Sequence, residues 1–64
     1  MKLKTLLNTM VDVNYAILTE SGWALEEGYI SKRGYAGESY YEDCKVLKVT
    51  TVQRTDIIFI TVKQ

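Results

Sequence analysis

The segment Ile57-Ile58-Phe59-Ile60-Thr61-Val62 constrains the fold most. Six β-forming residues in succession, without polar alternation, match a central strand that is covered on both faces. A chain of 64 residues is read as one domain, residues 1–64, and it buries only about 60% of the surface that its unfolded form exposes. Cover for both faces of such a strand is therefore scarce. Lys63 and Gln64 follow it with polar groups that blunt a strand end.

The other segments supply its partners. Leu3, Leu6, Leu7 and Met10 recur at i, i+3, i+4 and i+7 and share one helical face, with Lys4, Thr5, Asn8 and Thr9 opposite. Two to three turns do not hold alone in water, so this stripe must dock on a sheet. From Val11 to Thr19 the period changes to two, with Val11, Val13, Tyr15 and Ile17 on one face. Glu20-Ser21-Gly22 breaks the strand and suits a hairpin turn. The return strand runs from about Trp23 to Ser31, and Gly28 inside it predicts a bulge or a close backbone approach. Ser31 to Glu38 is an ordered loop. Ser39 with Glu42 three residues on is a capping-box pattern, which predicts one helical turn. Val46 to Val52 is a β-branched strand, and Gln53 to Asp56 turns the chain into the last one. The expected class is α+β: a short N-terminal helix packed on a four-stranded, mainly antiparallel sheet made of two hairpins.

Composition removes much chemistry. The chain has no histidine, which excludes Ser-His-Asp and Cys-His nucleophile systems, imidazole bases and most zinc sites. Cys44 is the only cysteine, so no intrachain disulfide forms. A domain this small without a disulfide framework reads as cytoplasmic. No apolar run approaches a membrane span, and Asn8 and Thr9 interrupt Leu6 and Leu7 before they make a signal-peptide core. Eight Lys+Arg balance eight Asp+Glu, so no net field draws in a polyanion.

Each remaining candidate has a plain structural reading beside the chemical one. Glu26 and Glu27 are adjacent in a strand and point to opposite faces. Glu38, Glu42 and Asp43 cluster near a turn but lack the calcium-loop pattern, and a solvated acidic edge accounts for them. Cys44 follows Glu42 and Asp43, which oppose thiolate formation, and fits a small half-buried position. Gly34 and Gly37 lack the Gly-Lys-Ser/Thr of a phosphate loop. No catalytic residue, metal or cofactor is expected.

The aromatic residues carry more information. Tyr29, Tyr35, Tyr40 and Tyr41 bracket the adjacent cations Lys32 and Arg33 within thirteen residues. Tyrosine joins a rigid apolar ring to a hydroxyl and is favoured in contact surfaces. These six residues form the expected binding site, with Trp23 at its edge. The competing reading has some of the rings capping the sheet and the others scattered over the surface. The apolar strand asks for a second copy of the chain as well, joined face to face or edge to edge, so a homo-oligomer is expected.

Met1 to Leu7, the strand Val13 to Leu18, the Gly22 turn, Val46 to Val49 and the ending Asp56 to Val62 follow a layout that resembles small α+β proteins of Gram-positive phages and prophages. Some of those proteins inhibit host defence without catalysis, anti-CRISPR proteins among them, and others sequester nucleotide signals. The resemblance implies no particular functional residue. The expected function is a small non-enzymatic binding protein that occludes or sequesters a partner, foremost a protein. Two alternatives stand beside it: an oligomeric sponge for a nucleotide-like small molecule, and a nucleic-acid-binding regulator.

Overall fold

The computed structural model spans Met1–Gln64 and has five elements: α1 (Leu3–Leu7), β1 (Val13–Leu18), β2 (Ala24–Ile30), β3 (Lys45–Thr51) and β4 (Ile57–Lys63). The class is α+β. One four-stranded sheet has the order β2-β1-β4-β3. The hairpins β1–β2 and β3–β4 are antiparallel as the alternation predicts, but they join through a parallel β1–β4 pair, so the sheet is mixed. The alternation specifies which face a side chain takes and says nothing about the direction of the neighbouring strand. Central placement goes to the strands with most apolar area to bury, and β2 and β3, which carry Glu26, Glu27, Lys45 and Lys48, form the edges.

One face of the sheet holds the core. Tyr15 and Ile17 from β1, Ile30 from β2, and Ile60 and Val62 from β4 meet Leu3 and Leu7 of α1 there. Leu6 and Met10, the other members of the helical stripe, are half-buried against this cluster. The helix is shorter than the spacing predicts. It stops at Leu7, and Asn8 closes it with its N–H on the Lys4 carbonyl. Its start is tied to the segment just before β3, since Leu3 and Lys4 donate their N–H groups to the carbonyls of Cys44 and Glu42.

β1 begins at Val13, two residues later than the alternation predicts, because Asp12 takes a left-handed φ of 52° and leaves Val11 exposed. The bulge in the first hairpin lies at Leu25, where Ile17 pairs with Glu26 and Leu18 with Ala24. Gly28 instead provides the close approach. A Cβ on it would stand 2.5 Å from the Tyr15 ring carbon Cζ, well inside contact distance, so the glycine makes room for the tyrosine that pairs with it. Gly22 supplies the positive φ of the first hairpin turn (93°) without steric cost, whereas in the second Arg54 takes a positive φ (77°) that its Cβ disfavours.

β4 is central, as its composition predicts, yet it is covered on one face only. Ile60 and Val62 are buried while Ile57, Phe59 and Thr61 stay half-exposed. The molecule measures 30 × 28 × 16 Å, the thickness of one sheet with one covering layer. Its accessible surface of 4593 Å² exceeds the roughly 4,200 Å² usual for a folded chain of this mass. No helix is long and apolar enough to cross a membrane.

Candidate binding surface

The crossover from β2 to β3, residues 31–44, completes the cover of the core face beside α1. It leaves β2 through a tight turn in which Gly34 donates to the Ser31 carbonyl (2.9 Å) and Arg33 N–H to Ser31 Oγ (3.2 Å). Gly34 has the positive φ that closes the turn, and Lys32 and Arg33 sit on its exposed outer corner. Neither cation has an ion-pair partner; the two ion pairs present join Lys2 and Lys4 to Asp43.

The chain then folds back over the sheet and is fastened by a polar network. Ser39 N–H donates to Tyr35 Oη (2.8 Å), and that hydroxyl donates to Glu42 Oε2 (2.8 Å). The capping box anticipated from Ser39 and Glu42 is thus bridged by a phenol. The carboxylate does not reach back to the Ser39 amide itself, and one turn over residues 40–43 follows in place of a helix. Ser39 Oγ accepts from Tyr41 N–H (3.1 Å) and donates to Glu26 Oε2 (2.6 Å), while Glu26 Oε1 accepts from Tyr40 N–H (3.1 Å). No buried side-chain polar atom lacks a partner, so the network secures the loop without leaving an uncompensated group.

The electrostatics agree with this structural use. Burial, opposed by the Ser39 N–H and reinforced by the Glu42 carboxylate, pushes the Tyr35 hydroxyl up to about 12. Burial also raises Tyr15, with the charges of Glu26 and Glu38 adding to it. The Tyr29 hydroxyl is raised mainly by its 3.1 Å hydrogen bond to Asp12 Oδ1. Glu42 and Asp43 turn to separate partners, the first to Tyr35 and the second to Lys2 and Lys4.

The six expected site residues therefore divide. Tyr35 and Tyr41 pack against the core and build the loop. Tyr40 is 88% exposed, its ring set edge-on to Tyr41 with centroids 5.3 Å apart. Lys32 and Arg33 are exposed at the loop's opening turn. Tyr29 lies on the other face of the sheet, because its cross-strand neighbour is Asn14, out of step with Val13 and Tyr15. Trp23 is exposed at the end of the first hairpin.

Sequence reasoning found Ser39 as a cap, and its Oγ accepts from Tyr41 N–H, but missed Glu26 as the second anchor that positions this loop. The only advance signal for Glu26 was its parity with Gly28 and Ile30, which puts a carboxylate on the core side. No protein-family model, curated protein or solved structure matches the chain.

Proposed function

We propose that the protein is a non-enzymatic binder that occludes a protein partner with the outer surface of residues 31–44. The observation that carries this reading is the division of labour among the tyrosines. Tyr35 and Tyr41 are committed to fixing the loop, and Tyr40, Lys32 and Arg33 project from it with no internal partner among the charges. A surface held rigid before contact loses little conformational entropy on binding, and an exposed tyrosine beside arginine is the composition of an interface anchor. The two cations select a partner with an acidic patch and steer its approach. The resemblance to small phage and prophage proteins directs the search for that partner to bacterial host factors.

The test compares the wild-type chain with the double variant Tyr40→Ala/Arg33→Ala. Both positions are exposed, so stability should change by no more than about 0.5 kcal/mol each. A protein captured from bacterial lysate by the wild type is purified and titrated against both chains. The variant is expected to bind at least about tenfold more weakly. Equal affinity of the two chains overturns the reading. A nucleotide retained by the purified wild type in native mass measurement overturns it also, in favour of a small-molecule sponge.

A further inference from the structure

β3 is an edge strand, and the two halves of its free edge differ. The first half is covered by the start of the chain. Lys2 bridges Lys45 in antiparallel fashion, with Val46 N–H on the Met1 carbonyl (2.8 Å) and Leu3 N–H on the Cys44 carbonyl (2.8 Å). Cys44 and Val46 therefore turn their backbone groups outward, and Lys45 turns its own toward Lys63 of β4. The extra residue Leu47 shifts this alternation by one. Beyond it Lys48 and Thr50 turn to Thr61 and Phe59, while Val49 and Thr51 present their N–H and C=O groups to the outside. Neither has a backbone partner there. This second half lacks the devices that keep a strand edge single: Val49 to Val52 contains no charge and no proline, and no other segment bridges it. Val49 and Val52 each stay 48% exposed. The opposite edge of the sheet is better guarded, since β2 carries a bulge at Leu25 and turns the charged Glu26 inward under residues 31–44.

We infer that Val49–Val52 is a self-pairing edge, at which two copies of the chain join β3 to β3 antiparallel about a two-fold axis at Thr50. The groups left open choose this occupant. Outward N–H and C=O groups among β-branched side chains are matched by another extended backbone, which the same edge already accepts in its first half. The stretch offers no charge by which to select a foreign strand, and a second copy fits it without like charges meeting. Val49 and Thr51 of one copy exchange both their backbone bonds with Thr51 and Val49 of the other. Thr50 lies against Thr50, a favourable cross-strand pair, and the nearest charge, Lys48, comes opposite Val52. What flanks the segment fixes this register. An axis at Val49 would bring Val52 of the copy onto Val46, whose outward N–H already holds Met1. An axis at Thr51 would call on Gln53, which lies in the turn. One continuous sheet then runs through both copies, with both α1 helices on the same face. The contact uses none of residues 31–44, so the inference is independent of the binding role proposed for that loop.

The experiment follows molecular mass against concentration by sedimentation equilibrium, and amide hydrogen exchange at low and high concentration, with circular dichroism confirming the fold. The chains are the wild type, Thr51→Pro, Thr50→Lys and Thr50→Glu. The wild type is expected to dimerise below about 1 mM. Its Val49 and Thr51 amides should gain protection as concentration rises, while that of Thr50, already turned to β4, stays as it was. Thr51→Pro removes a donor that the single chain does not use, so it should keep the fold and weaken dimerisation at least about tenfold. Thr50→Lys and Thr50→Glu should each be monomeric alone and dimerise when mixed, because the axis sets this position against itself. Thr50 is exposed, so this pair of variants decides the matter even if Thr51→Pro fails to fold. A wild type that stays monomeric up to about 1 mM overturns the inference. So does a folded Thr51→Pro that dimerises undiminished, or a dimer whose Val49 and Thr51 amides gain no protection. A mixture of the two Thr50 variants that stays monomeric while folded overturns the axis at Thr50.

Discussion

The two faces of the sheet are made from the same strands and differ in what they do. On β4, Ile60 and Val62 point into a closed core with Leu3, Leu7, Ile17 and Ile30, while Phe59, the largest apolar residue of the strand, points the other way and stays half-exposed. On β2 the adjacent acids divide likewise. Glu26 is half-buried, fixed by Ser39 and Tyr40, and Glu27 is exposed without an ion-pair partner. Hydrophobicity of a residue type does not by itself decide burial in so small a protein. The single covering layer of α1 and residues 31–44 is enough for one face, and the residues beneath it become structural whatever their chemical promise.

This contrast can be broken most sharply on one strand. Ile60→Ala should cost about 2–5 kcal/mol in urea unfolding, a large share of the roughly 3–10 kcal/mol expected for a chain of this length. Phe59→Ala, measured in dilute solution, should cost less than about 1.5 kcal/mol although it removes more atoms, because the side chain is half-exposed in the folded monomer. Equal losses, or a larger one at Phe59, would show that the open face is not open.

A smaller effect tests the fit beneath the cover. Gly28→Ala places a methyl group 2.5 Å from the Tyr15 Cζ and Oη and should destabilise by about 1–3 kcal/mol through overpacking. Unchanged stability would mean that the Tyr15 ring moves aside freely and that Gly28 has no packing role.

The smallest expected effect concerns the loop network. Tyr35→Phe removes the bridge between Ser39 N–H and Glu42 and should cost about 1 kcal/mol at neutral pH. It should also change the alkaline limb of the stability profile. The Tyr35 hydroxyl holds its proton to about 12 in the folded chain, whereas an unfolded tyrosine ionises near 10. Its contribution is therefore complete below pH about 10 and is lost as pH rises to about 12. In Tyr35→Phe the decline over that window should be shallower, with the raised Tyr15 sustaining the remainder. An identical decline in both proteins would detach the loop network from Tyr35.

Much of the first face was legible in advance. The helical stripe named Leu3, Leu6, Leu7 and Met10, and the two-residue period named Val11, Val13, Tyr15 and Ile17; Val11 lies outside the strand and is exposed. The other seven lie in or against the core, because parity along a helix or strand is a local property. Parity likewise sent Glu26 and Glu27 to opposite sides. The candidate site was less legible. Tyr35, Tyr40 and Tyr41 share one stretch of chain and one residue type, but the first and third are half-buried and the second is almost fully exposed.

What the amino-acid sequence determined by itself is the inventory of elements, the inward parity of their side chains and the absence of histidine chemistry. Each follows from residue identity and short-range spacing. Tertiary structure alone decided that β1 and β4 lie parallel, that a phenol bridges Ser39 to Glu42, and that Phe59 faces outward with no layer to cover it. Those outcomes depend on which distant segments reach a face first and on how much chain is left to cover the other. α1 and residues 31–44 both lie on one side of the sheet, and their contacts there decide which side chains become the core.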